Sequence, residues 1–335
     1  MIINKLKKIL IIQTASIGDV ILSTPLIEKL HHFFPEASID FMLKKGNEGL
    51  YKAHPYINNL IIWNKSERKY RNLFRIIKFF RSKKYDLIIN IQRFASSGLV
   101  TIFSGAKKTI GFNKNPFSIF FSESVKHNIK AENASIHETE RNIKLIENIT
   151  DNSSYKIKLY PTKKDFAKVS QYKTKEYICI APASLWFTKQ YPVDKWIEFC
   201  DKIDKEINIY LLGSKNDVLL CDEIKAKSNH SNFLNLAGKL NFLESAALMK
   251  DARMNFVNDS APMHLASSVN APTTAIFCST VSSFGFGPLS DDSVIIETTK
   301  ELKCRPCGLH GFNKCPEKHF ECANSINNQQ LLNRI

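Results

Sequence analysis

Residues 254–268, MNFVNDSAPMHLASS, carry the pattern that decides the fold. Their first four residues form a short, mostly apolar run, which predicts a buried strand. A polar corner follows, where Asp259 or Ser260 is placed to cap a helix with Pro262 in its first turn. A strand that ends in a polar turn and opens a helix directs backbone N–H groups and the positive end of the helix dipole into a crevice, which suits a diphosphate. An ordinary strand-to-helix turn is the alternative.

The composition is that of a folded, basic protein with enough chain for two domains. Its 335 residues are 44% hydrophobic, which excludes an intrinsically disordered chain. Lysine and arginine number 47 against 32 aspartates and glutamates, for a net charge of +15. This charge favours anionic partners such as nucleic acid, acidic lipid headgroups or phosphorylated substrates. A compositional bias of the source organism is the alternative, because lysine, asparagine and isoleucine are abundant.

The apolar runs in the sequence are too short for a membrane span. The N-terminus is basic and then apolar, but its apolar run, residues 9–12, is also too short for a signal peptide. We therefore expect a cytoplasmic protein.

Four of the 8 cysteines crowd into residues 304–322, CRPCGLHGFNKCPEKHFEC. In a reducing compartment such a cluster indicates a metal before disulfides. The candidate ligands of a structural zinc are Cys304, Cys307, Cys315 and Cys322. Free thiols or a redox pair are the alternatives. We expect this segment to shape a loop and not to drive a reaction.

Strands and helices alternate in two successive sets, which predicts an α/β fold of two domains with open, mostly parallel sheets. The predicted strands are 8–12, 38–43, 60–63, 86–91, 108–112, 177–180, 208–212, 233–236, 254–257 and 273–278. The predicted helices are 20–34, 65–84, 135–149, 192–201, 217–227, 243–250 and one from 261. We place the boundary in a polar linker, with domains at 1–155 and 156–335. Ligands of such sheets bind beyond the carboxyl ends of the strands.

Residues 65–84, KSERKYRNLFRIIKFFRSKK, predict a basic amphipathic helix. The predicted apolar face consists of Leu73, Phe74, Ile76, Ile77, Phe79 and Phe80. Such a helix lies on a membrane surface or meets an anionic acceptor. A helix that packs on the core and keeps a solvated basic side is the alternative.

Three polar residues near the ends of predicted strands are candidates for taking part in a reaction. A carboxylate at Asp19, in the first strand-to-helix turn, is able to deprotonate a hydroxyl, although capping the next helix is an alternative. Lys189 is able to neutralise a leaving phosphate and His264 to donate to it, unless they are an exposed lysine and a structural histidine. Neither GxGxxG nor GxxxxGK[ST] occurs, so a dinucleotide fingerprint and a P-loop are not supported.

Seven motifs, between about Leu10 and Cys278, resemble those of glycosyltransferase family 9, the lipopolysaccharide heptosyltransferases. They are IIQTASIGDVILSTPLIEKL, DLIINIQ, HETERN, TKQYPVDKW, LLGSKND, LNLAGKLNFLESAALMKDAR and VNDSAPMHLAS. Each motif is weak alone, but seven in the family's order are specific.

The resemblance implies a GT-B arrangement, in which an N-terminal acceptor-binding and a C-terminal nucleotide-sugar-binding Rossmann-like domain face each other across a crevice. It implies transfer of heptose from ADP-L-glycero-D-manno-heptose to the lipopolysaccharide inner core or a similar acceptor, with inversion and no catalytic metal. The expected location is the inner face of the inner membrane, with no nucleic-acid partner. A family member that uses another nucleotide sugar is one alternative. A basic, non-enzymatic module that binds nucleic acid or membrane is the other.

The resemblance also implies roles for individual residues. Asp19 becomes the general base that activates the acceptor hydroxyl, and Lys189 steadies the donor diphosphate. The implied donor-binding residues are Ser214 or Asp217 at the ribose, Leu240 at the adenine, Asp259 at the sugar, and Ser260, Ala261 and His264 at the phosphates.

The acceptor side departs from the family pattern, because the lysine expected after Gln92 is missing. Arg93 or Lys114 is the candidate substitute for an acceptor phosphate or carboxylate contact. Tyr191 stands where the family often has tryptophan.

Overall fold

The structure is a computed structural model that describes residues 6–64, 69–129 and 136–335. It contains two compact units, Met1–Lys158 and Leu159–Ile335, and each is built on one six-stranded sheet whose paired strands are all parallel. The predicted class, α/β with two Rossmann-like domains, is confirmed. None of the helices in the described ranges combines the length and the apolar character that crossing a bilayer demands.

The first unit has its strands in the order β3-β2-β1-β4-β5-β6. The strands are β1 (Lys8–Ile12), β2 (Ser38–Lys44), β3 (Ile57–Trp63), β4 (Leu87–Asn90), β5 (Lys108–Phe112) and β6 (Glu123–Val125). The helices are α1 (Ile17–Ile21), α2 (Thr24–Phe33), α3 (Lys69–Lys83), α4 (Ala95–Ile102) and α5 (Glu138–Ile143). Residues 9–12 are fully buried, as expected for a central parallel strand covered on both faces.

Two predicted helices of this unit differ from those observed. The helix predicted at 20–34 is broken between α1 and α2, because Pro25 in the first turn of α2 has no N–H to continue the ladder. The Thr24 hydroxyl donates to the Ile21 carbonyl at 2.8 Å instead. The helix predicted at 135–149 is observed only as α5, which His137 caps, followed by a 3₁₀ turn at Glu147–Ile149. Ser135, the first residue of the predicted helix, lies outside the described residues.

Helix α3 confirms the basic helix over part of its predicted length, since residues 65–68 are not described. Its inward side packs with α4 and the central strands around Leu10, Ile12, Met42, Trp63, Leu73, Ile76, Ile77, Phe80, Ile88 and Val100. The prediction that Phe74 and Phe79 belong to the apolar face is wrong, because both side chains are exposed. Strand β6 and helix α4 were not predicted, since one is very short and the other follows a polar loop.

The second unit has the strand order β12-β11-β10-β7-β8-β9. The strands are β7 (Tyr177–Ala181), β8 (Asn208–Leu211), β9 (Phe233–Asn235), β10 (Met254–Asn258), β11 (Thr273–Phe277) and β12 (Ser293–Glu297). The helices are α6 (Lys163–Val169), α7 (Val193–Asp201), α8 (Val218–Lys227), α9 (Phe242–Lys250), α10 (Ala261–Ser267), α11 (Glu321–Asn324) and α12 (Asn328–Leu332). Four of these elements, α6, β12, α11 and α12, were not predicted.

The register of this sheet brings three loops together. Strand β10 lies between β7 and β11, with Val257 opposite Ala181 and Asn258 opposite Ile276. Because all three strands are parallel, the loops that follow them leave the sheet at the same edge.

Candidate active site

Three loops of the second unit meet at Asp259, the residue after β10. Its side chain is only 8% exposed, and its Oδ2 atom lies 2.6 Å from the Lys189 Nζ. The same oxygen accepts a hydrogen bond of 2.5 Å from the Thr280 hydroxyl. Lys189 comes from the loop after β7 and Thr280 from the loop after β11. The site is therefore a nearly buried ion pair with a hydroxyl bound to its anion.

Asn258 holds the Lys189 loop in place. Its side-chain amide donates to the Pro182 carbonyl at 2.7 Å and accepts from the Tyr191 N–H at 3.0 Å, so it ties both ends of the loop to the strand. Asn258 is fully buried. It was not among the predicted site residues, although an amide that ends a buried strand is a signal for such a contact.

The ammonium of Lys189 is the chemically useful group of this cluster. It has three N–H donors, and Asp259 is its one ion-pair partner in the described part of the chain. The remaining donors are available to an anion, and the paired carboxylate limits the positions that the ammonium can take. A positioned cation in a poorly solvated site stabilises charge that develops on a leaving group.

The expected side-chain cap of α10 is wrong. Ser260 stands at the N-cap position but makes no capping hydrogen bond, and Asp259 is engaged by Lys189 and Thr280 instead. Pro262 lies in the first turn, as predicted. Of the remaining predicted residues, Ala261 is half-buried and His264 is buried. Their phosphate contacts stay predictions.

The predicted ribose residues form a local cap after β8. The N–H and hydroxyl of Ser214 donate to Asp217 Oδ2 at 2.7 and 2.8 Å. The neighbouring loop after β9 approaches closely, because the Gly238 N–H donates to the Gly213 carbonyl at 2.9 Å. Leu240, the predicted adenine contact, is half-buried in that second loop. These residues leave the same edge of the sheet as Asp259, and their nucleotide contacts stay predictions.

In the first unit, Asp19 lies in a capping box at the start of α1. Its Oδ2 atom accepts from the Ser16 N–H at 3.1 Å and from the Ser16 hydroxyl at 2.5 Å. The helix begins at Ile17 and not at Val20, because Ser16 is the N-cap residue and Asp19 its third helical residue. The capping role that the sequence left open is therefore observed, and the general-base role stays a prediction.

The predicted acceptor residues lie after β4 and β5. Gln92 is buried and donates through its amide to the Gln13 side chain, which joins the ends of β1 and β4. Arg93 and Lys114 are exposed. Asn115, which was not predicted, is buried and donates to the Gln92 carbonyl at 2.8 Å, which joins the two loops. Contacts of Gln92, Arg93 and Lys114 with an acceptor stay predictions.

The HETERN motif stabilises the first unit. Arg141 Nε donates to Glu138 Oε2 at 2.8 Å, and His127 Nε2 lies 3.3 Å from Glu138 Oε1. Burial raises the pKa of Glu138, but the hydrogen bonds and charges of His127 and Arg141 outweigh burial and hold it below its usual value. The Asn142 amide donates to the Leu22 carbonyl at 3.2 Å, which joins α5 to the end of α1.

Comparison with known sequences identifies the family. Residues 73–311 match the profile of glycosyltransferase family 9 (heptosyltransferase). The chain belongs to glycosyltransferase family 9. It is an enzyme of the glycosyltransferase class, as predicted.

Individual relatives agree with this assignment. Lipopolysaccharide heptosyltransferase 3 of Escherichia coli is 28% identical over 281 residues, which cover 78% of this chain and 81% of that protein. The structure of E. coli ADP-heptose lipopolysaccharide heptosyltransferase II is similar with a TM-score of 0.80 at 21% identity, over 98% of this chain and 97% of that one. E. coli heptosyltransferase WaaC with ADP-2-deoxy-2-fluoro heptose is similar with a TM-score of 0.71 at 17% identity, over 97% and 99%. At these identities the two structures support the fold alone.

The cysteine-rich segment of this family 9 enzyme packs against the Lys189 loop. The Phe312 N–H donates to the Thr188 hydroxyl at 2.8 Å, and the Thr188 N–H donates to the Phe312 carbonyl at 3.0 Å. Gly311 has a φ of +76°, and a Cβ atom there would lie 2.8 Å from Thr188 Oγ1 and 3.3 Å from Lys189 Cγ. The glycine therefore permits a close approach behind Lys189.

Arg305 ties the same segment to the Thr280 loop. Its guanidinium donates to the carbonyls of Cys278 and Thr280 at 2.9 and 2.8 Å and pairs with Glu297 at 2.5 Å. The Cys307 N–H adds a hydrogen bond of 2.8 Å to the Ser279 carbonyl. The cysteine-rich segment is therefore hydrogen-bonded to two of the three loops that meet at Asp259, the Lys189 loop and the Thr280 loop.

The four predicted zinc ligands line one pocket of about 260 Å³, together with His319. None of the four cysteines is in a disulfide, and the Cys304 Sγ lies 3.9 Å from His319 Nε2. Burial, followed by the neighbouring sulfurs, raises the pKa of Cys322 to about 12. Within residues 6–64, 69–129 and 136–335, no group of three or more His, Cys, Asp or Glu side chains is arranged to hold a metal ion. Zinc therefore stays a prediction.

Proposed function

We propose that this enzyme transfers heptose from ADP-L-glycero-D-manno-heptose to the lipopolysaccharide inner core or a similar acceptor, with inversion at the anomeric carbon. The observation that carries the proposal is the Lys189 ammonium held by Asp259 at the carboxyl edge of the second sheet. The heptose, the ADP group and the lipopolysaccharide acceptor are supported by the names of the similar proteins, one of which is a complex with an ADP-heptose analogue.

The donor end of the reaction is assigned to the second unit. As the bond between the anomeric carbon and the diphosphate oxygen breaks, its electron pair and the negative charge move to ADP. Lys189 counters this charge, and Asp259, which accepts a hydrogen bond from Thr280, holds Lys189 and borders the sugar. The backbone N–H groups at Ser260 and Ala261, together with His264, complete the phosphate contacts. Ser214 or Asp217 contacts the ribose, and Leu240 the adenine.

The acceptor end is assigned to the first unit. A sugar hydroxyl is a weak nucleophile at neutral pH, so a base is needed as it attacks the anomeric carbon. Asp19 takes the hydroxyl proton while the new glycosidic bond forms on the face opposite the departing ADP, which inverts the anomeric centre. The capping box supports this assignment because it holds the carboxylate in one orientation. Gln92 orders the loop from which Arg93, with Lys114, meets an acceptor phosphate or carboxylate. We place the enzyme at the cytoplasmic face of the inner membrane.

The decisive experiment is transfer from ADP-heptose to a panel of truncated lipopolysaccharide acceptors. Transfer by the wild type together with ADP binding supports donor and acceptor classes alike. Binding of ADP without transfer to any acceptor would show that the sugar or the acceptor is wrong. ADP that binds should add ~2.7 kcal/mol to the free energy of unfolding at about 100 times its Kd. If ADP adds no stability, adenine is not the nucleobase of the donor, and other nucleotide sugars should be tested.

We also propose that Cys304, Cys307, Cys315 and Cys322 hold a structural zinc. The shared pocket and the chemistry of four sulfur donors support it, and no step of the transfer passes through the metal. Metal analysis of protein purified without chelators should find about one zinc per chain, which a Cys304→Ser/Cys307→Ser variant loses. A Cys221→Ala variant, altered at a buried cysteine of α8, is the matched control. Metal-free wild-type protein of unchanged thermal stability would contradict the proposal.

A further inference from the structure

Helix α3 has an outward face that neither the core nor the proposed transfer reaction uses. Its inward residues Leu73, Ile76, Ile77 and Phe80 pack against the first sheet. On the opposite side lie exposed residues spaced three and four apart, which places them on one face of the helix. They are Arg71, Phe74, Arg75, Lys78 and Arg81, and we name them the α3 basic face.

The charge of this face is unbalanced. Residues 69–83 contain six lysines and arginines and no aspartate or glutamate. Within the described residues, none of the four cations of the α3 basic face forms a salt bridge with a carboxylate, although Lys29, Lys107, Lys108 and Arg141 of the same unit do. The α3 basic face therefore presents uncompensated positive charge to an anionic partner.

Phe74 stands in the middle of these cations. Its side chain is 70% exposed, whereas Phe80, six residues further along the same helix, is fully buried. Arg71 precedes it by three residues and Lys78 follows by four, so charges flank the ring along the helix. An exposed aromatic side chain surrounded by cations is typical of an interfacial helix. In such a helix the aromatic side chain enters the boundary between headgroups and acyl chains, and the charged side-chain ends reach the lipid phosphates.

A second aromatic residue extends the surface. Phe103, at the end of α4, is 50% exposed, and α4 packs beside α3 through Val100. The Arg81 Cγ lies 3.7 Å from where a Cβ of Gly105 would stand, so the turn after Phe103 lies beside the end of α3.

We propose that the α3 basic face docks the enzyme on a bilayer that contains anionic phospholipid, with Phe74 inserted among the headgroups. The inference rests on the membrane location in the proposed function, and it is independent of the donor and acceptor sugars. Docking through α3 attaches the first unit, to which the acceptor was assigned, to the surface that carries a lipid-linked acceptor.

Vesicle flotation tests the proposal with the full-length protein. Wild type should float with phosphatidylcholine vesicles that contain about 30% phosphatidylglycerol and remain in solution with pure phosphatidylcholine. Arg75→Glu/Lys78→Glu should weaken partitioning at least tenfold, since each cation near an anionic surface contributes about fivefold. Phe74→Ser should weaken it severalfold, and that deficit should persist in high salt because it is apolar in origin.

Matched controls come from exposed positions of the second unit. Lys164→Glu/Lys225→Glu changes the net charge equally, and Leu219→Ser removes an equally exposed apolar side chain. Both should float like wild type, and every variant should keep the wild-type melting temperature because the changed residues are exposed. Equal losses in the control pair and the α3 pair would reduce the effect to net charge and overturn the proposal.

Two further readings separate the remaining outcomes. Failure of wild type to float with anionic vesicles, or retention of the α3 variants' binding, would overturn the docking face. Tighter binding of wild type to single-stranded nucleic acid than to vesicles would assign the face to another partner and also overturn it. Turnover with a soluble, lipid-free acceptor should be the same for wild type and the α3 variants, so loss of docking is distinguishable from failure of the proposed transfer.

Discussion

Two carboxylates stand at matching corners of the two units and are held in different ways. Asp19 follows β1 and Asp259 follows β10, and each of these strands lies inside its sheet with neighbours on both sides. The carboxylate of Asp19 has contacts with Ser16, three residues away. Those of Asp259 come from Lys189, on another loop, and from Thr280, 21 residues away.

Because the two carboxylates are held differently, substitutions at the two corners should affect activity and stability to different extents. A half-exposed carboxylate in a local cap is replaceable at little structural cost, so its substitution isolates a chemical role. A nearly buried ion pair is not, because removing one partner leaves the other charge buried and unpaired. The two corners therefore predict different combinations of lost activity and lost stability.

The largest effect on activity is expected from Asp19→Asn. The amide still accepts a hydrogen bond from Ser16 but cannot take a proton, so turnover should fall by about 10²–10⁴-fold with ADP binding and melting temperature nearly unchanged. Steady-state transfer kinetics and a thermal melt with ADP measure this. Turnover within tenfold of wild type would remove Asp19 from the mechanism.

Lys189→Ala should lower both the turnover and the stability of the enzyme. Turnover should fall by roughly 10²–10³-fold, because the cation that stabilises the leaving charge is lost. The free energy of unfolding should fall by about 3–5 kcal/mol, because Asp259 is left unpaired. The double variant Lys189→Ala/Asp259→Asn should recover stability but not activity, which denaturant unfolding and kinetics separate. Lys225→Ala, at an exposed lysine of α8, is the control and should match wild type. A double variant no more stable than the single one would argue against the buried pair.

Gly311→Ala tests whether the cysteine-rich segment positions Lys189. The added Cβ meets Thr188 and Lys189 at a φ of +76°, so we expect a loss of about 1–3 kcal/mol and a several-fold lower turnover. Gly308→Ala has a φ of +66° and nothing within 4 Å, so it bears the backbone strain without the contact. Equal effects of the two substitutions on turnover would show that the contact with Lys189 does not matter.

The smallest effect is expected from Ser16→Ala, which removes the cap and keeps the Asp19 carboxylate. Stability should fall by about 1 kcal/mol, as measured by denaturant unfolding. Turnover should stay within several-fold of wild type, since the base itself remains. A loss as large as that of Asp19→Asn would mean that the capping box, and not the carboxylate alone, is needed for transfer.

Individual elements and residues show which structural features the sequence pattern predicts and which it does not. Strands β1 and β5 have their predicted bounds, and α7, α8 and α9 lie within one residue of theirs, because periodicity and caps act over a few residues. The break before α2 was missed even though Pro25 signals it. The exposure of Phe74 and Phe79 was missed because six apolar residues within residues 73–80 are too many for one face of a helix. Asn258 and Asn115 were missed because their partners lie in loops distant in sequence.

The sequence by itself determined the alternation of strands and helices, the α/β class, the family motifs and the polar corners after the strands. Local hydrogen bonding and burial of β-branched runs are sufficient for these, since each depends on near neighbours. Only the tertiary structure decided that Asp259 is the partner of Lys189, that Gly311 lies behind it, and that Phe74 faces outward among cations. The physical reason is that such pairs depend on which loops the parallel register brings to one edge of the sheet, and no local pattern encodes that register.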